Sequence, residues 1–165
     1  MPLSLPLMGF ASLLFSGAIF GFFYAWVCST MWGLDAADPR VAISAMQAMN
    51  ASVRNAVFAP AFFGTPFVLL ATALLARNAG RRAAAAAFGL AGLIYLAGGL
   101  FLTMSVNVPM NEALAAVTIP DTPEAAAHIW ADYSPRWQFW NMVRTVVSGV
   151  TLLLAGLGLY QIRTA

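Results

Sequence analysis

The chain has 165 residues, of which 61% are hydrophobic and 8% charged, whereas a soluble domain carries roughly 25% charged residues. The composition therefore predicts an integral membrane protein folded as one compact bundle. Its net charge of +2 comes from eight arginines, with no lysine, against six acids, too little and too dispersed for a nucleic-acid-binding surface.

A hydrocarbon core of about 30 Å needs about 20 apolar residues as helix, and four stretches qualify. The N-terminus lacks the basic segment of a secretory signal, so the first stretch, 7–31, is read as a retained span. Within it Gly17 and Gly21 form a small-xxx-small pattern that predicts a close helix contact and permits a homodimer. Cys28, the only cysteine, is read as a small packing residue, and an internal disulfide is excluded. Asp38-Pro39 predicts a helix start, with Asp as N-cap and Pro at the first position. The helix is expected to run from Arg40 to Phe58, directly into a second span at 56–76, with Gln47, Asn50 and Arg54 on one face. Pro60 and Pro66 each remove a backbone donor from that span and invite a kink.

The loop Arg77-Asn-Ala-Gly-Arg-Arg82 is short and basic, which places it in the cytoplasm by the positive-inside rule. Both termini are then cytoplasmic, in agreement with Arg163, and the membrane is read as the cell's inner (plasma) membrane. The third span is read at 83–106, with Pro109 breaking the helix beyond it and freeing carbonyls. Asp121-Thr-Pro123 opens a short helix through Trp130, and the fourth span follows at 137–160. The expected fold is all-α: one domain, 1–165, built as a four-transmembrane-helix bundle with short amphipathic helices on the outward side. The six acids and the five tryptophans gather at that side, where the tryptophans serve as interfacial anchors or line a pocket.

Three polar groups converge near the outward ends. The first is Gln47, Asn50, Arg54 and Asn55. The second is Asn107, Asn111 and Glu112. The third is Trp137, Asn141, Arg144 and Ser148, whose spacing puts them on one helical face. Arg144 stands out, because an arginine at a helix centre costs about 2.5–3.5 kcal/mol on insertion scales. Two readings stand side by side: a binding or reaction site, and a structural ion pair of Arg144 with Glu112 or Asp132. His128, the only histidine, and Cys28 cannot by themselves build a four-ligand zinc or copper site, so no metal or other cofactor is expected.

Met46-Gln-Ala-Met-Asn50 with Phe58-Ala-Pro60-Ala-Phe62, then Asn107-Val-Pro-Met-Asn111-Glu112-Ala-Leu114, then Trp137-Gln-Phe-Trp-Asn141-Met-Val-Arg144, resemble the DUF1772 membrane proteins, a group similar to the anthrone oxygenase family. Several members of that family carry His where this chain has Asn141, so a His-based proton step at that position is not implied. The resemblance implies oxidation of an anthrone to an anthraquinone by O₂ without a cofactor. On that basis Arg144 and Asn141 would stabilise an oxyanion, and Glu112 or His128 would act as base. Asn107 and Asn111 would orient the ring oxygens, Trp137 and Trp140 would stack on the rings, and Gln47, Asn50 and Arg54 would complete the binding surface. Such a protein would meet the lipid bilayer, an apolar aromatic and O₂. Two other readings remain beside this one: a non-catalytic protein that binds or passes a lipid-like molecule, and an accessory subunit. No internal repeat is evident, which counts against a transporter.

Overall fold

The computed structural model describes residues 3–164, with side chains to residue 162. Met1, Pro2 and the Arg163 side chain, on which the reading of the termini leaned, lie outside the described residues. Among the described residues there are five helices and no strand. They are α1 Ser4–Asp35, α2 Pro39–Ser52, α3 Phe58–Asn78, α4 Arg82–Ala115 and α5 Pro123–Thr164. All but α2 are long and apolar enough to cross a membrane, so the chain is an all-α, multi-pass membrane protein.

The spanning helices form a ring in which α1 packs on α3 and α5, and α4 on α3 and α5. Each neighbouring pair is antiparallel. Gly9 lies by Leu159 and Gly149 by Phe20 along α1 and α5, and Gly158 lies by Phe88 and Gly98 by Val147 along α4 and α5. This is an up-down-up-down bundle. Three apolar layers fill it. One end holds Leu5, Phe88, Ala155 and Ile162, and the middle holds Ile19, Phe23, Phe62 and Tyr95. The other end holds Met31, Ile43, Met46, Leu114, Trp130 and Trp137. We call these the hairpin end, the middle and the cap.

The hairpin between α3 and α4 is set by Gly80, whose φ of 77° suits a residue without Cβ. Arg81 N donates to Ala76 O at 2.9 Å and Gly80 N to Arg77 O at 3.0 Å, the paired bonds of a Schellman stop. At the other end α5, 42 residues long, spans about 60 Å at 1.5 Å per residue, about twice a hydrocarbon core. Its first turns therefore rise beyond the bundle and carry the cap. Gln47 Nε2 ties α2 to the end of α4 by donating to Leu114 O at 2.9 Å and Val117 O at 3.0 Å. Asp35, at the end of α1, accepts from Trp130 Nε1 at 2.9 Å, Ser134 Oγ at 2.7 Å and Gln138 Nε2 at 2.8 Å.

Asp38 caps α2 as expected, accepting from Arg40 N at 2.9 Å, with Pro39 in the first turn. Other local expectations are corrected. The helix over Arg40 to Phe58 stops at Ser52. Asn55 Oδ1 then accepts from Val57 N at 2.8 Å and Phe58 N at 2.9 Å, so it starts α3 afresh and places Pro60 in a first turn, where no helical bond is lost. Pro109 does not break α4. It falls at the start of the α-helical segment Val108–Ala115 that follows two i→i+5 stretches, a position proline suits. The short helix from Asp121 and the span at 137–160 are one helix that continues through Pro135. A Cβ at Gly21 would meet no atom of another helix within 4 Å and one at Gly17 only Leu152 at 3.9 Å, so neither glycine is needed for a close helix contact within the chain. Cys28 is exposed rather than packed.

Candidate functional site

α1 carries an i→i+5 segment at Trp26–Thr30 and α4 carries two, at Tyr95–Phe101 and Thr103–Asn107. Such wide turns are rare and recur at functional sites. Here Trp26 of the first and Thr103 and Met104 of the last line a cavity of about 570 Å³ between the middle layer and the cap. Seven aromatic rings stand in its wall: Phe22, Phe23 and Trp26 from α1, Phe58, Phe62 and Phe63 from α3, and Trp137 from α5. Phe22 and Phe58 meet at 4.7 Å between centroids, and Trp26 and Trp137 at 5.0 Å. Against this apolar wall stand a few polar groups, Asn50, Arg54, Asn55, Thr103, Asn111, Glu112 and Arg144.

Arg144 is 5% exposed. Its Nη2 donates to Asn141 Oδ1 at 2.8 Å and its Nη1 makes a long contact of 3.4 Å with Thr103 Oγ1. The guanidinium lies 4.5 Å from the ring centroid of Phe23 and 5.3 Å from that of Trp137, within cation–π range. Nε has no partner. Among the described residues Arg144 makes no ion pair, so the expected alternative with Glu112 or Asp132 is not what holds it. Glu112 instead meets Arg54 at 3.4 Å, both side chains being 60% exposed, at the rim of the cavity. A buried cation with no anion is a costly arrangement, and this one faces a cavity.

The other expected site residues separate into those that line the cavity and those that do not. Asn141 is buried but off the wall. Its Nδ2 donates to Phe23 O at 3.1 Å while its Oδ1 holds Arg144, so its amide fixes the guanidinium. Asn111 lines the wall; its Oδ1 accepts from Tyr133 Oη and Trp137 Nε1, both at 2.9 Å, which turns its NH₂ away as a free donor. Asn50 lines the wall with its Nδ2 buried and unpartnered. Asn107 is 0% exposed, with both side-chain polar atoms unpartnered, and it is not among the lining residues. Buried polar atoms seldom lack a partner. Gln47 is occupied with the α4 carbonyls and takes no part in the wall. Trp140 packs edge-on against Phe139 at 5.1 Å, outside the cavity. His128 is exposed on the cap, also outside it. Ser148 Oγ donates to Arg144 O at 2.7 Å, along its own helix.

Sequence reading missed Phe22 and Phe23 on α1, the α3 aromatics and Thr103. Their signals were present: Phe22 and Trp26, and Phe58 and Phe62, are each four apart, and Thr103, Asn107 and Asn111 repeat at the same interval, one face of a helix. Asp35 and Tyr133, which position the cap, had no local signal.

No curated protein and no solved structure matches the chain. The sequence profile of the anthrone oxygenase family does match, over residues 53–154. That stretch contains α3, α4 and the part of α5 that holds Trp137, Asn141 and Arg144, and the match covers more than half of the sequence. The chain therefore belongs to the anthrone oxygenase family.

Proposed function

We propose that this protein oxidises an anthrone, or a closely related flat aromatic ketone, with O₂ in the cavity beside Arg144. The observation that carries the reading is a buried guanidinium without a carboxylate, set among aromatic rings. Such a cation is matched by an anion that forms during reaction, and fixed donors in a dry site stabilise developing charge strongly.

The chemistry balances without a further reductant. Glu112, at the rim, takes a proton from the CH₂ between the two rings, leaving an anion delocalised onto the carbonyl oxygen. Arg144, oriented by Asn141, meets that oxyanion, and the Asn111 amide donates to a ring oxygen. Trp137 and Phe23 hold the ring plane. The anion gives one electron to O₂, the two radicals join as a hydroperoxide at the former CH₂, and loss of water leaves a second carbonyl. The sum is anthrone plus O₂ to anthraquinone plus H₂O. Phe63 and Met104 line the cavity and are each 46% exposed on the outer surface, which favours entry of the aromatic and of O₂ from the bilayer.

The test is O₂ uptake with emodin anthrone by purified protein, against the spontaneous rate. Wild type is expected to exceed the blank and Arg144→Ala to lose about 10²–10³-fold of the enzymatic rate, the scale for an oxyanion donor. Equal rates for wild type and blank overturn the reading. Saturable quenching of tryptophan fluorescence without O₂ uptake would mark the protein as a binder of apolar aromatics instead.

We also propose that the hairpin end is cytoplasmic in the plasma membrane. Support comes from Arg77, Arg81 and Arg82 at that end and all six acids outside it, the asymmetry that orients spans. In a Cys28→Ala background, Ala79→Cys is expected to react with an impermeant maleimide only after cells are opened. Labelling of intact cells reverses the orientation.

A further inference from the structure

At the hairpin end the bundle has a second hollow, which the proposed oxidation does not use. A groove of about 730 Å³ runs between α3 and α4. Leu70, Ala73 and Leu74 on α3 and Ala85 on α4 line it, together with Arg77 and Arg82. Leu70, Ala73, Leu74 and Arg77 fall at i, i+3, i+4 and i+7, and Arg82 and Ala85 at i and i+3, so each set shares one helical face. The small alanine side chains leave the seam between the helices unfilled. Arg77 closes α3 in its last turn and Arg82 opens α4, so both guanidiniums stand at the same end of an apolar channel.

Neither arginine is in an ion pair among the described residues. The six acids of the chain all lie at Asp35, Asp38, Glu112, Asp121, Glu124 and Asp132, at the cap and its rim. Among the described residues no acid therefore offsets the charge at the hairpin. An apolar channel with two cations at one end is complementary to an amphiphile with an anionic head and a hydrocarbon tail. We propose that this groove binds one anionic glycerophospholipid, its phosphate between Arg77 and Arg82 and an acyl chain along Ala73 and Ala85. The planar guanidinium fork fits phosphate oxygens, and basic pockets between membrane helices at headgroup depth bind acidic lipids. The assignment does not depend on the oxidation proposed above.

The experiment is native mass spectrometry of the full chain in detergent with added palmitoyl-oleoyl phosphatidylglycerol or the matching phosphatidylcholine. One phosphatidylglycerol is expected to stay bound in preference to phosphatidylcholine by roughly tenfold or more, the scale two arginines at a membrane surface give. The Arg77→Gln, Arg82→Gln double variant is expected to lose that preference, whereas Arg136→Gln, at the cap, retains it. Ala73→Leu, which fills the channel and keeps both charges, is expected to lose the lipid as well. The proposal is overturned if phosphatidylcholine binds equally, if the double variant keeps the preference, or if Ala73→Leu binds as wild type does. Displacement of the lipid by tail-free glycerol phosphate at equal concentration would likewise overturn it, making the arginines a simple phosphate site.

Discussion

Pro66 lies inside α3 and cannot donate to the carbonyl four residues earlier, that of Phe62. Tyr95 Oη, from α4, donates to Phe62 O at 3.0 Å in the buried middle layer. The proline removes a bond within one helix and the tyrosine replaces it from the next. Tyr95→Phe is therefore expected to leave that carbonyl unsatisfied and to cost about 1–3 kcal/mol, read as a lower thermal midpoint in detergent. In a Pro66→Ala background the restored amide serves the carbonyl, and the same change is expected to cost much less. Equal costs in both backgrounds would show that the hydroxyl does not compensate the proline. Arg144 belongs to this scale too, since it donates to Asn141, whose own amide is anchored on Phe23 O.

Each helix end has its own determinant. The Asp38 carboxyl accepts from Arg40 N and pairs with Arg40 Nη2 at 2.6 Å. The side-chain bond from Arg40 is the chief cause that lowers its pKa from 3.8 to about 2. A depressed carboxylate contributes stability that is present above its ordinary pKa and lost as pH falls through the folded value. The cap of α2 is thus expected to weaken between pH 3.8 and about 2. The part of that acid sensitivity due to this group is expected to vanish in Asp38→Asn, by thermal melts across the range. On α5, Trp130, Ser134 and Gln138 all bond to Asp35 and bracket Pro135, where the helix lacks a donor. Asp35 acts as a splint across that gap. Asp35→Ala is expected to cost on the order of 1 kcal/mol and to raise hydrogen exchange in Pro123–Gln138; unchanged exchange there would refute the splint. The helix start at Asp38-Pro39 was legible because cap and proline act locally. The runs through Pro109 and Pro135 were not, because tertiary partners and adjacent wide turns decide whether a proline ends a helix.

For the molecule as a whole, hydropathy alone made the four spans legible, because length against bilayer thickness is a one-dimensional property. The site was half legible. Arg144, Asn111, Asn50, Arg54, Glu112 and Trp137 do meet at one cavity, because they lie at the same end of their spans. Gln47, Trp140 and His128 share that end and face elsewhere. Depth along the membrane could be counted from sequence, whereas azimuth around each helix depended on turns whose period is not 3.6.

Those wide turns also behave as single-residue insertions. Every residue beyond one of them is rotated about 100° relative to a continuous α-helix. Removing one residue from Thr103–Asn107 would let α4 relax to ordinary pitch while swinging the Asn111 amide off Trp137 and carrying Glu112 out of the rim. The chain would keep its hydropathy and its bundle yet present a different lining. One residue gained or lost at that point would therefore change what the cavity admits without any substitution elsewhere in the chain.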